Sequence, residues 1–399
     1  MSGLRALPVL RYHSVAPEGV LAPHGWLERL SEPVELFEAT MKDWWRRGVR
    51  TVGTAEIVDF LTGQRDLPKR SVVLTFDDGY LDNWVAVAPI LKKYGHKAIV
   101  FVSRDFIDPS DTVRPTLEEQ STQLQWQGYL SVPEMRAMSE SGVAEIQSHA
   151  RTHTWWFVSP KIIDFYGPHW SIEHPKCRYR FLWLNRHPEL KPFALRHLGR
   201  EAVPWGTPIY EFAPALLARR YEPDPEIESR LVEHVGHAGG EEFFRRSDWR
   251  ESLMKLVDVH RARYGERGAF ESEDQRQQRL EDELAGTRAF LETVTEREVR
   301  FFAPPQGGAD TEVLKMALRY GYDLVSAPGT GAVRLNRPGA GKGWVYRGGP
   351  GYSLFGRSGS MRGAIRFQRL VLARYSGSTV ATVLTRTLGI ARRLSTTFR

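Results

Sequence analysis

Apolar and polar positions fall into two alternating patterns over the first 150 residues. Short runs of consecutive apolar residues at 9–15, 71–76, 98–102 and 144–147 predict buried strands. Between them the apolar spacing becomes helical. Leu36, Phe37, Met41, Trp44 and Trp45 predict a helix from Pro33, capped by Ser31 and stopped at Gly48. Thr54 is placed to cap a second helix over 55–61. A third runs over 82–94 to Gly95, and Ser131 with Pro133 opens a fourth that closes at Gly142. This βαβα rhythm predicts an α/β chain, with a parallel sheet or barrel and helices outside.

The rhythm breaks at His153. Residues 154–278 are rich in aromatics, prolines and charges, with Trp155, Trp156, Phe157, Tyr166, Trp170, Tyr179, Phe181 and Trp183 in the first third. A structureless loop of that length does not suit a compact domain, so the segment is expected to be an inserted, mostly helical subdomain near the site described below. The rhythm resumes with a helix over about 279–294, a strand at 300–302, a helix at 311–320 and a strand at 322–325. Residues 329–359 are glycine-rich and read as loop. Helices over about 361–375 and 379–394 end the chain. The expected divisions are 1–153 and 279–350 for the two parts of one α/β body, 154–278 for the insertion and 351–399 for a basic helical tail.

Charge sharpens the picture of the tail. The chain of 399 residues carries a net charge of +7, yet no acidic residue follows Asp323. The last 76 residues hold 13 Lys and Arg, so the rest nets about −6. Such a tail suits nucleic acid, an anionic membrane surface or an acidic substrate, or docks on the acidic body itself. Val380, Val383, Leu384, Leu388, Ala391 and Leu394 add an apolar stripe, with Arg386 and Arg393 elsewhere around the helix. Without a base-reading motif, nucleic acid is not expected as a partner. Cys177 is the sole cysteine, which excludes a disulfide framework and a multi-thiolate zinc site. No 18-residue apolar run predicts a membrane span, and residues 1–8 do not read as a secretory signal, so the expected location is cytoplasmic.

Three motifs directly follow strands: Thr75-Phe-Asp-Asp-Gly-Tyr80, Ser148-His-Ala-Arg-Thr-His153 and Ala303-Pro-Pro-Gln-Gly307. In a β/α barrel, such loops share the face that carries function. Asp77 and Asp78 diverge at a strand end, so one can ligate a metal while the other takes a proton from water; a pair of turn aspartates is the plainer reading. His149 and His153, four apart, would share one face of a helical turn, the spacing of metal ligands. Two His and one Asp leave open coordination positions, as in a catalytic site. Arg300 either orients Asp77 or points away. Trp155 and Trp156 either stack on sugar rings or pack inside the insertion.

Together these motifs resemble the polysaccharide deacetylases, the NodB-homology or family 4 carbohydrate esterases. The resemblance covers about residues 1–153 and 279–350. It implies a distorted (β/α) barrel and a metal-dependent N-deacetylase. Asp77 would be the general base, with Asp78, His149 and His153 binding one divalent ion, Zn2+ first and Co2+, Ni2+ or Fe2+ as alternatives. Tyr80, Pro305 and Gln306, with Trp155 and Trp156, would face the substrate. The family's late acid histidine has no counterpart after His260. A permuted subgroup, the poly-N-acetylglucosamine deacetylases, carries that histidine in an N-terminal Tyr-His segment. Leu10-Arg-Tyr-His13-Ser-Val matches it, which makes His13 the acid. Gln306 stands where the family has an aromatic. The implied partner is an N-acetylated glycan or lipid-linked intermediate of surface-polysaccharide synthesis, met at the inner membrane face through the tail. A catalytically inactive glycan-binding scaffold and a non-haem iron oxygenase are the competing readings, the latter disfavoured by the βα rhythm.

Overall fold

The computed structural model describes residues 3–21, 25–119, 123–170, 184–196, 203–329, 333–350 and 360–397. Cys177, Tyr179, Phe181 and Trp183 lie outside them, as do the side chains of Ala391, Arg393 and Leu394.

Seven parallel strands form the central sheet, in the order Val9–Tyr12, Ser71–Phe76, Ala98–Val102, Ala144–Ser148, Phe301–Phe302, Leu324–Ser326 and Gly343–Val345. The short strand Arg50–Thr51 pairs with the start of Ser71–Phe76. Register is set by Leu10 beside Leu74, Thr75 beside Ile99, Val100 beside Ile146, and Phe302 beside both Ser148 and Val325. The sheet curls back on itself beyond its last strand. Gly348 bridges Leu10, accepting from Arg11 N at 2.8 Å and donating to Val9 O at 2.9 Å. Asn336 supports the seam by donating to Leu7 O and accepting from Tyr346 N. The result is the expected distorted (β/α) barrel.

Alternate strand residues feed two cores. Val9, Val73, Ile99, Phe101, Phe301, Leu324 and Val345 fill one cluster, joined by Ile57, Val58, Phe60 and Leu61 of the Thr54–Leu61 helix. Leu10, Leu74, Phe76, Val100, Ile146, Phe302 and Val325 face the other, where the remaining helices pack. Burial on both sides explains the near-continuous apolar runs.

Helix ends show where side-chain caps operate. Ser131 caps Val132–Glu140 in a capping box with Glu134. Gly95, left-handed at φ 66°, ends Ala88–Tyr94. Ser31 caps nothing: it lies in a two-strand parallel ribbon, Ser14–Ala16 with Ser31–Pro33, and Pro33 precedes the helix Val34–Arg46. Gly53, with Glu56 at its backbone N–H, starts the helix assigned to Thr54.

The insertion has more helix than strand, as expected, with a β-ribbon beside the helices. It opens with an antiparallel ribbon, Trp155–Phe165 against Pro208–Pro214. Helices Pro225–His237 and Trp249–Tyr264 follow, packed through Leu231, Val235, Leu253 and Val257 onto Phe165. Helix Met361–Tyr375 buries Ala364, Phe367, Gln368 and Val371 as part of the barrel's outer layer. The final helix, Thr379–Thr397, packs on it and buries Ala381 and Thr385. No helix among the described residues is long and apolar enough to cross a membrane.

Candidate active site

The two-residue period of the strands decides which side chains enter the barrel mouth. Continuing the inward face past Val9, Val73, Gln147 and Val345 brings His13, Asp77, His149 and Arg347 to one end. Backbone strain gathers there too. Among the described residues five non-glycines have positive φ, and Asp78 (74°), Ala150 (62°), His153 (45°) and Gln306 (52°) all lie in the three motif loops. Each such residue costs on the order of 1–3 kcal/mol, and such strain clusters at functional sites.

Asp78, His149 and His153 converge. The two Nε2 atoms lie 3.1 and 2.9 Å from the same Asp78 oxygen, Oδ1. His149 places Nδ1 2.5 Å from the carbonyl of Ala303, so Nδ1 carries the proton and donates. The lone pair on His149 Nε2 then faces a carboxylate oxygen, an arrangement that calls for a cation or a shared proton between them. Ligand atoms around a tetrahedral ion with bonds of about 2.1 Å stand about 3.4 Å apart, close to this spacing. The donor set therefore fits a divalent ion with three protein ligands. Burial would raise the Asp78 carboxyl, but the two histidines outweigh it and hold it well below the usual range. The histidines do not share a helical turn, as their spacing suggested. They sit in a loop whose left-handed residues, Ala150 and His153, turn both rings inward.

Asp77 lies beside this cluster, near enough for the His149 charge to act on it, but its hydrogen-bond partner is an arginine. Arg347 grips it with two hydrogen bonds of 2.5 and 3.0 Å, while donating to Ser326 Oγ at 2.6 Å and Thr75 Oγ1 at 3.2 Å. Burial alone would raise the Asp77 carboxyl; Arg347's charge, helped by those of His149 and His13, overrides it and brings the pKa to about 2. His13 Nε2 lies 3.9 Å from Asp77 Oδ2. Burial lowers the His13 pKa, partly opposed by the charges of Asp78 and Asp77. Asp82 and Asn83 fix the His13 strand from behind. Asp82 accepts from Val15 N and Ser14 Oγ, and Asn83 Nδ2 donates to His13 O at 3.0 Å.

The walls separate the remaining expected residues. Tyr80, Ser103, Phe106 and Tyr129 line a pocket with Asp78 and His153. Pro305 and Gln306 line an adjoining one with His153 and Thr154. Gln306 is exposed, with its side-chain amide 3.4 Å from His153 Nδ1. Trp155 is not on this wall: it is buried in the insertion's aromatic core beside Phe212. Trp156 is half-buried under the Arg220 guanidinium, 4.0 Å from its ring centroid. Arg300 pairs with Asp323 at 2.5 Å, not with Asp77. Arg347, the residue that does hold Asp77, lies in the stretch read as loop. The apolar Trp344 and Val345 after Gly343 were the signal of a strand that would have pointed it inward.

Residues 64–173 match the polysaccharide deacetylase family. The matched segment contains Asp77, Asp78, His149 and His153; His13, Gln306 and Arg347 lie outside it. Proteins of this deacetylase family are generally metal-dependent. YxkH of Bacillus subtilis, a protein named for the same family, is 31% identical over 147 residues. The alignment spans 37% of this chain and 43% of that protein, less than half its length. Solved structures that align include a de-N-acetylase from Aggregatibacter actinomycetemcomitans, 17% identical, covering 86% of this chain and 93% of that one at a TM-score of 0.49. The BpsB deacetylase domain from Bordetella bronchiseptica is also 17% identical, covering 87% and 97% at a TM-score of 0.46.

Proposed function

We propose that this protein is a metal-dependent N-deacetylase that hydrolyses an N-acetyl group on a sugar and releases acetate. The observation that carries the reading is the division of the two adjacent aspartates. Asp78 joins two histidines in a cation-binding trio, and Asp77 stands apart, ionised and held by Arg347. A divalent ion on Asp78, His149 and His153 supplies an acidified water and polarises the acetyl carbonyl; Zn2+ suits the donor set.

The chain's own residues perform the proton transfers. Asp77 accepts the proton of the attacking water, and Arg347 keeps its two oxygens oriented for it. His13, across from Asp77, delivers a proton to the departing amine nitrogen, and the Asp82–Asn83 clamp holds it in place. A backbone N–H near Tyr80 is our candidate second donor to the oxyanion. Tyr80, Phe106 and Tyr129 offer an aromatic wall to the sugar.

The substrate we favour is a glycan or lipid-linked glycan intermediate of surface-polysaccharide synthesis, met at an anionic membrane surface. Exposure of Val380, Val383, Leu384 and Leu388 supports the membrane part, because the apolar stripe is not spent on the protein's own body. The cytoplasmic leaflet, with its anionic lipids, matches the charge of the tail.

Acetate release from N-acetylglucosamine oligomers by the metal-loaded protein tests the reading. Asp77→Asn and His13→Ala are each expected to lower kcat by about 10²–10⁴ while metal content stays at wild-type level. Undiminished turnover in Asp77→Asn would remove the assigned mechanism.

A further inference from the structure

The loop that carries the two histidine ligands has almost no backbone freedom left, and two side chains from outside the barrel strands account for the part nearest His153. Val102 and Ser103 hold His149, the first through its N–H at 2.9 Å and the second through its carbonyl at 2.8 Å. Arg104 N and Asp105 N donate to the carbonyls of Ala150 and Arg151. The N–H groups of Ala150, Arg151 and Thr152 and the carbonyl of Thr152 then remain before His153, and two side chains take all but the first. The buried carboxylate of Glu283 accepts from Arg151 N at 2.9 Å and Thr152 N at 3.0 Å, and takes the Thr152 hydroxyl on its other oxygen. Lys191, 1% exposed, donates to the carbonyl of Thr152 at 3.0 Å and to Asp105 at 3.0 Å.

The origins of these two groups differ. Glu283 projects from a π-helical turn, Asp282–Gly286, between the helices Glu273–Glu281 and Thr287–Thr295. An extra residue in a helical turn re-aims the side chains around it, and such turns recur at functional sites. Lys191 belongs to the insertion, in the turn Pro188–Phe193. Its buried ammonium ties the insertion to the barrel loops through Asp105 and Thr152. The loop between these groups is strained, with left-handed Ala150 and His153 on either side of the peptide they grip.

We propose that Glu283 and Lys191 clamp the Arg151–Thr152 segment between them and thereby position His153 for metal. The insertion is then a working part of the metal centre and more than a cover beside it. The inference rests on the metal-site reading above. Both are positioning residues, since neither reaches the cluster itself. Residues that orient ligands in this way typically contribute 10–100-fold to metal affinity.

The test is zinc affinity of the metal-free protein, read by competition with a chromophoric chelator, alongside the visible spectrum of the Co2+-loaded form. Glu283→Gln retains shape but weakens the acceptor for two N–H groups. Lys191→Met retains the stem and removes the ammonium. Each is expected to weaken zinc about 10–100-fold and to alter the Co2+ bands, with wild-type circular dichroism. Lys191→Met also removes one of the two cations on Asp105, leaving Arg151 on its other oxygen, so Lys191→Met with Asp105→Asn guards against misfolding. Glu283→Asp, which keeps the charge on a shorter arm, should recover part of the affinity. Wild-type affinity and an unchanged Co2+ spectrum in folded Glu283→Gln and Lys191→Met would overturn the clamp. Absence of zinc binding by wild type would instead overturn the metal-site reading beneath it.

Discussion

At the scale of single residues, the site depends on how neighbouring charges are kept apart. Asp77 and Asp78 differ by one position, yet one faces an arginine and the other two histidines. Arg347 makes the difference for Asp77. Replacing it with methionine leaves a buried carboxylate without its partner, at a cost of about 3–5 kcal/mol. The charges of His149 and His13 still oppose burial, but the largest opposing influence is gone and the Asp77 pKa rises. Asp77 must be ionised to accept a proton, so the acid limb of the kcat/KM profile should move toward neutral pH in Arg347→Met. A profile between pH 4 and 9 that keeps its wild-type acid limb would show that Arg347 does not control Asp77.

At the scale of elements, the sequence made the strand and helix alternation plain because both strand faces are buried. Buried runs such as Val-Val-Leu-Thr-Phe leave little ambiguity. The insertion's ribbon was hidden because Trp155, Trp156 and Phe157 suit a strand and a helix alike. The strand at Gly343–Val345 was hidden by its length, three residues among glycines, and Arg347 was lost with it. The histidine loop defeated the spacing argument, since positive φ at Ala150 and His153 is a tertiary outcome that four-residue spacing does not encode. Packing of the tail onto the barrel creates a further property. Glu32 is buried under Gln368, which donates to Oε1 at 3.0 Å, while Oε2 makes no hydrogen bond. Burial pushes the Glu32 carboxyl up to about 8. A raised folded-state pKa means the stabilisation is complete below the unfolded value near 4.5 and is lost as pH rises through about 8. Glu32→Gln mimics the neutral acid. Its melting temperature should therefore gain on wild type as pH is raised from 5 to 8.5. A constant difference across that range would mean that Glu32 ionises freely.

At the scale of the whole molecule, the chain joins a closed barrel, an insertion anchored beside the site and a terminal helix with an apolar outer face. Val380 and Val383 are 67% and 63% exposed, on a segment without acidic residues. The membrane proposal predicts that wild type sediments with anionic vesicles more than with neutral ones. Val383→Glu with Leu388→Glu should abolish the preference, because both alter the outward stripe and spare buried Ala381 and Thr385. Equal sedimentation of wild type with both vesicles would remove that partner.

The barrel also brings together ligands 71 and 75 residues apart in sequence, from strands that meet only when the sheet has formed. Divalent metal per chain is therefore the most direct test of the central claim. Elemental analysis of purified wild type, Asp78→Ala and His153→Ala should give one equivalent in wild type and none in either variant, with all three folded. Folded wild type that holds no stoichiometric metal after reloading, or variants that retain it, would contradict the account.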